Sequence, residues 1–160
     1  RYLVRSRGLG DVYKRQVKAC FEAGAIATGA ILDVQPLGPP YSEFVHDHDL
    51  IGKYRKNAES LGRVFSPPST KVAGSTDMAN VSLLMPTIHP MLGLDSGTAV
   101  NHQPEFAAYC RTPDADRAAV EGALAMALTA VDAASDDETR TRLLGHKTSY
   151  SEIGEYPWSF

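Results

Sequence analysis

The chain has 160 residues, which is enough for one domain with a buried core. Hydrophobic residues make up 43% of it and charged residues 22%, a balance typical of a globular protein and unlike a disordered one. The formal net charge of -3 offers no cationic surface to nucleic acid or anionic lipid, and we find no apolar run of membrane-spanning length. Cys20 and Cys110 form no C-x-x-C pair, so we expect two reduced, buried thiols in a cytoplasmic protein.

Apolar periodicity and turn residues predict helices that alternate with short strands. The helices are expected at 17–29, 47–61, 77–84 and 112–134, and the strands at 30–37 and 87–94, with a further short apolar piece at 72–74. This alternation predicts an α/β fold in which helices cover a mixed or parallel sheet, and it supplies too few strands for a complete doubly wound sheet. The tail at 147–160 shows no clear periodicity, and we expect a domain boundary near residue 42.

Two of the helices carry clear end signals. Asp47 or Asp49 lies in the first turn of the helix at 47–61, and Gly62 follows its end, where a left-handed cap is needed. Thr112 is the expected N-cap of the longest helix, with Pro113 at its first position. We expect that helix to pack closely through a face of small and apolar residues: Ala119, Val120, Ala123, Met126, Ala127, Ala130 and Val131.

The turn Gly74-Ser75-Thr76-Asp77 is the first candidate for a binding site. Glycine lets the backbone approach a ligand closely, and hydroxyls and amides at a helix start bind anions, so a substrate carboxylate could rest against Ser75 and Thr76. The alternative is an ordinary helix start with a serine, threonine or aspartate N-cap.

Three groups of histidines could carry chemistry. His102 lies in a polar loop, where it could bind a metal or act as a base, or simply be solvated; His89 lies in the predicted strand and reads as a partly buried histidine. The run at 46–49, H-D-H-D, resembles a metal cluster in composition, but residues two apart face different sides of a helix, so we interpret it as a solvated helix start. A Ser75, His102 and Asp77 triad is disfavoured because the G-x-S-x-G elbow is absent.

Three blocks, in order, resemble peptidase family M-twenty, which includes aminoacylase, p-aminobenzoyl-glutamate hydrolase and β-alanyl dipeptidase-like amidohydrolases. The blocks are K-N-A-E-S-L-G at 56–62, A-G-S-T-D-M-A-N-V-S at 73–82 with P-T-I-H-P at 86–90, and N-H at 101–102. C-F-E-A-G-A at 20–25 with T-G at 28–29 resembles the end of the family's lid, or dimerisation, domain. The resemblance covers about residues 17–135, whereas residues 1–16 resemble a translated sequencing-adapter segment and are expected to be non-native.

The resemblance implies a two-part organisation and a set of site residues. Residues 17–42 would end the lid domain, 43–146 would be the C-terminal part of an α/β metallopeptidase catalytic domain, and the complete protein would be a homodimer. His102 would be the family's final metal ligand, Gly74, Ser75 and Thr76 would contact substrate, and Asp77 and His89 would lie just behind them.

One departure from the family pattern limits what this chain can do. The other ligands of the two zinc ions and the general-base glutamate belong to the family's N-terminal half, and nothing here matches its H-x-D or paired-glutamate motifs. We therefore expect a fragment of a metal-dependent hydrolase of amide or peptide bonds, inactive alone, acting on N-acyl amino acids, dipeptides or aminobenzoyl-glutamate. The alternative is a non-catalytic dimerisation or interaction module from a relative without metals.

Overall fold

A computed structural model of the chain describes residues 3–35, 38, 41–65 and 74–146. By internal contacts the chain divides into two compact units, Arg1–Pro39 and Pro40–Phe160. The first unit contains helix α1, Leu3–Thr28. The second contains α2 (His48–Ser60), α3 (Met78–Ser82), α4 (Pro104–Tyr109), α5 (Pro113–Ser135) and α6 (Asp137–Gly145).

In the first unit, α1 ends where the sequence predicts. Gly29 has a φ of 70°, which a glycine adopts without steric cost, and the N–H of Ala30 donates to the carbonyl oxygen of Ala25 at 3.1 Å. Residues 30–35, expected to begin a strand, belong to no strand in the described part of the chain, and 36 and 37 lie outside it. Cys20 and Cys110 are free, as expected, but both are exposed, so the prediction of buried thiols is wrong.

The core of the second unit lies between α2 and α5. Tyr54 and Ala58 of α2 are buried against Ala125 of α5, and Leu61, Phe65 and Ile88 pack around them. The buried stripe of α5 consists of small residues, which lets the two helix backbones approach closely: Ala118, Gly122, Ala125, Thr129 and Ala133. Asn57 of α2 donates from Nδ2 to the Asp132 carboxylate of α5 at 2.8 Å.

The predicted face of α5 is therefore wrong. All seven residues that were expected to pack are exposed, and the buried stripe lies on the other side of the helix. The buried face does consist of small residues, as close packing requires, but they are a different set from the one expected. By length and composition α5 could also cross a membrane, a test that core helices of soluble proteins pass as well.

The end signals of α2 and α5 are confirmed. The Asp47 side chain accepts a hydrogen bond from the Leu50 N–H at 3.1 Å, and Gly62 has a φ of 88°. Thr112 caps α5 by accepting from the Ala115 N–H at 3.3 Å. The helix predicted at 77–84 is present as the shorter α3.

Two helices were missed, and the strand predicted at 87–94 is not formed among the described residues. Helix α4 begins at the end of the polar loop that carries His102, and α6 follows α5 after Asp136, whose side chain accepts from the Thr139 N–H at 3.0 Å. Pro90 removes one donor from segment 87–94. Segment 66–73 and the tail at 147–160 lie outside the described residues, so an α/β fold for the family domain stays a prediction.

Candidate functional site

The Gly74–Asp77 turn leads directly into α3. Gly74, Ser75 and Asp77 are exposed, and Thr76 is half-buried. The Thr76 hydroxyl accepts from the Met78 N–H at 3.3 Å, whereas the Asp77 side chain makes no capping hydrogen bond. The Thr76 oxygen is thus already engaged by the local backbone, and the two residues before it present the accessible surface of the turn.

Two later residues of the same sequence block hold a neighbouring segment in place. The Asn80 side-chain oxygen accepts from the Ser42 N–H at 2.8 Å, and the Ser82 hydroxyl accepts from the Val45 N–H at 2.9 Å. Ser82 is 7% exposed, and its hydroxyl donates to the Ala79 carbonyl oxygen at 2.6 Å. Sequence reasoning missed this role, because the bonded positions lie 38 and 37 residues apart in the chain. We call these two bonds the α3 clamp.

The clamped segment brings two histidines close to one aromatic ring. The Phe44 ring centroid lies 4.5 Å from that of His46 and 6.3 Å from that of His89. The N–H of Asp47 donates to the Thr87 carbonyl oxygen at 3.1 Å, which ties the start of α2 to the segment that carries His89. Both imidazoles are exposed, so the expectation of a partly buried His89 is wrong.

His102 has an unusual backbone. Its φ is 67°, and among the described residues no other non-glycine residue has a positive φ. The left-handed conformation costs an ordinary residue roughly 1–2 kcal/mol, and strain of this kind is concentrated at functional sites. The side chain is exposed, and no described contact joins it to the Gly74–Asp77 turn. Its role as a ligand stays a prediction.

The histidine and aspartate run at 46–49 is a helix start, as interpreted from the sequence. Arg142 of α6 donates to both carboxylate oxygens of Asp47, at 2.6 and 3.1 Å, and to Asp49 at 3.0 Å. Across the described ranges, no group of three or more His, Cys, Asp or Glu side chains is arranged to hold a metal ion. We call the contact of Arg142 with the two aspartates the α6 clasp.

The clasp changes the acidity of its members. Burial alone would raise the pKa of Asp47, but hydrogen bonds from Arg142 and from the Leu50 N–H outweigh it and lower that pKa below 3.8. The pKa of Asp49 is also lowered, first by the hydrogen bond from the Thr139 hydroxyl and then by Arg142. Both carboxylates are therefore ionised at neutral pH and stabilise the contact of α2 with α6.

Comparison with known proteins points to the peptidases. No model of a known protein family matches the chain, and no solved structure matches it. Curated proteins do match, and their similarity supports a relationship with a peptidase family.

The relatives concerned are two mammalian enzymes. The chain is 30% identical over 125 residues to the mouse Xaa-Arg dipeptidase, and the match covers 76% of this chain and 29% of the mouse protein. The human Xaa-Arg dipeptidase is likewise 30% identical over 125 residues, with 28% of its length covered. The chain thus spans less than a third of the relatives it matches.

Proposed function

We propose that the chain is the C-terminal part of a metal-dependent hydrolase that cleaves amide or peptide bonds in small, carboxylate-bearing substrates. The similarity to two Xaa-Arg dipeptidases over three quarters of the chain carries this proposal. The ordered motif blocks described above agree with it. Since 71% of the mouse relative has no counterpart here, the activity would belong to a longer protein, expected to be a homodimer.

The proposed site uses residues from two turns. His102 would supply one zinc ligand, and Gly74, Ser75 and Thr76 would receive the substrate carboxylate, with Asp77 and His89 behind them. His102 has a strained backbone conformation and an exposed side chain. Both support a functional role, because the packing of an exposed side chain does not require a histidine. The exposure of Gly74 and Ser75 leaves the turn open to a ligand.

The described residues do not form a zinc site by themselves. Catalytic zinc ordinarily has three protein ligands, and no three donors cluster in the described part of the chain. We therefore assign no catalytic step to this chain alone. We expect the 160-residue polypeptide to be inactive and the longer protein to need two divalent metal ions.

The name of the relatives suggests the first substrates to assay. Dipeptides with a C-terminal arginine should be compared with other dipeptides, N-acyl amino acids and aminobenzoyl-glutamate. Each assay should use the isolated chain and the protein encoded by the complete reading frame, with zinc added or with a chelator. We expect turnover only by the complete protein and only without the chelator.

One substitution tests the proposed metal-ligand role of the His102 side chain without disturbing the backbone conformation at that position. His102→Asn keeps a side chain that tolerates a positive φ but removes a strong zinc ligand, so activity and bound zinc should be lost, while the thermal midpoint measured with a chelator should equal that of the native protein. The matched control is His48→Asn at an exposed position of α2, which should retain both. Full activity in His102→Asn would remove His102 from the site.

The alternative, a module without catalysis, predicts a different result from the same preparations. The complete protein would bind no zinc and cleave none of the substrates, yet it would form a dimer in sedimentation. Turnover by the isolated chain would contradict both proposals.

A further inference from the structure

The outer face of α5 combines exposure with a complete lack of charge. Exposed apolar residues follow one another along this face from Ala119 to Ala134, and Val120 and Val131 are 67% and 59% exposed. We call this surface the α5 outer face. Its exposed members are Ala119, Val120, Ala123, Leu124, Met126, Ala127, Ala130, Val131 and Ala134.

The charges of this helix lie on the opposite side. From Ala118 to Ser135 the only charged residues are Glu121 and Asp132. The Arg63 guanidinium lies 2.8 Å from the Glu121 carboxylate, and Asn57 donates to Asp132. A helix that borders water normally carries its charges on the outer face, so α5 has the pattern of a helix that is covered on both sides.

An apolar groove extends the outer face toward α6. It has a volume of about 450 Å³, and Leu50, Met126, Ala130, Leu143 and Leu144 are among its lining residues. Leu144 is 77% exposed. A groove of this kind can receive side chains from a second layer of protein.

A lipid bilayer fits this surface poorly. Helix α2 packs against the inner side of α5, and it carries charged side chains along its length, among them Asp49, Lys53, Arg55 and Glu59. A span formed by α5 would draw these groups into hydrocarbon, at a high energetic cost. Only 28% of the most apolar stretch of α5 is buried, so most of this stretch is open to a further layer of protein.

We infer that the α5 outer face and its groove are the docking surface for the part of the relatives that this chain lacks. The match covers 29% and 28% of the two Xaa-Arg dipeptidases, so about 70% of their length is available to cover it. The inference rests on the proposed function in one respect, because the covering polypeptide is the remainder of the same hydrolase. Its contacting surface should be mainly apolar, since the outer face carries no charge and Arg140 is the one charged residue that lines the groove.

Thiol labelling tests this assignment directly. In a Cys20→Ser, Cys110→Ser background, Val131→Cys places one small thiol on the outer face, and Ser60→Cys places one on the charged side of α2. Each variant is made both as the 160-residue chain and within the complete reading frame. We expect Val131→Cys to react at least about tenfold more slowly in the complete protein, and Ser60→Cys to react equally in both.

Each other outcome overturns the inference. Equal reactivity of Val131→Cys in both forms would leave the face uncovered, and equal protection at Ser60→Cys would mean that the effect is not confined to this face. Slow reaction of Val131→Cys already in the isolated chain would assign the cover to a second copy or to another segment of this chain. A complete reading frame that encodes nothing beyond these residues would also overturn the inference.

The labelling result is independent of catalysis. A complete protein that protects Val131→Cys but cleaves no substrate would refute the proposed function and leave the docking surface intact. Hydrogen exchange of the α5 amides gives a second measurement without any substitution, and it should slow in the complete protein relative to the isolated chain.

Discussion

Replacing Arg142 by alanine should loosen α6 from the start of α2. Arg142→Ala removes three hydrogen bonds to Asp47 and Asp49 and leaves Asp47 with a side chain that is 8% exposed. A hydrogen bond to a charged group contributes about 1.5–3 kcal/mol. The Arg142 side chain is 43% exposed, so solvent screening reduces the expected loss of unfolding free energy to about 1–2 kcal/mol.

The pH dependence of this loss follows from the direction of the pKa shifts. Asp47 and Asp49 have folded pKa values below 3.8, so their contribution to stability is present above the unfolded pKa and is lost as pH falls through the folded one. The difference between the native chain and Arg142→Ala should therefore be complete at about pH 7 and shrink toward zero as pH falls below 3.8.

Urea unfolding followed by circular dichroism at about pH 7 and about pH 3 measures both effects. The control is Arg117→Ala, because Arg117 is 63% exposed and pairs with Asp114 and Glu121 of its own helix. Its loss should stay below about 0.5 kcal/mol. A loss in Arg142→Ala that equals that of the control, or that is the same at both pH values, would refute the role given to the α6 clasp.

Two further substitutions test the α3 clamp and the end of α2 by the same unfolding measurement. Ser82→Ala leaves the Val45 N–H without its acceptor and should lower the free energy of unfolding by about 1–2 kcal/mol. Ser60→Ala, at an exposed site, should lower it by less than about 0.5 kcal/mol. Equal losses in the two variants would contradict the stabilising role given to the α3 clamp. Gly62→Ala should lower the free energy of unfolding by about 1 kcal/mol, because φ at Gly62 is 88°. Gly52→Ala, in open space within α2, should raise it by a similar amount. A change of the same sign in both variants would contradict this interpretation.

The sequence predicted the helices whose ends are set by local chemistry. Asp47, Gly62, Thr112 and Pro113 each act through their own backbone or a neighbouring N–H, so their roles are visible in a few consecutive residues. Helix α6 was missed because its residues are mostly polar or charged and give no apolar period. Its position depends on Arg142 and Thr139 reaching α2, contacts that lie about ninety residues apart in sequence.

The face of α5 could not be inferred from periodicity. The residues expected to pack, most of them alanines, are exposed, whereas Gly122 and its small neighbours are buried. A Cβ at position 122 would meet the Leu92 side chain, so the fit of segment 87–94 against α5 favours a residue that contributes nothing to an apolar pattern. Periodicity indicates that a face is to be covered, but not which polypeptide covers it.

The residues of the candidate site were proposed one by one, and their assembly into a site stays a prediction. The Gly74–Asp77 turn precedes a short helix, as expected, and His102 has a positive φ that no sequence pattern reveals. The roles of these residues stay predictions. The α3 clamp joins positions separated by 37 and 38 residues, so local sequence reasoning could not detect it.

The clamp divides its four participants into two kinds. Asn80 and Ser82 contribute side chains, and only an acceptor of similar reach can replace either of them. Positions 42 and 45 contribute main-chain N–H groups, which every amino acid except proline possesses. In homologous proteins the first pair should thus be nearly fixed, whereas the second pair should vary freely in size and polarity, with proline as the one residue that never occurs there.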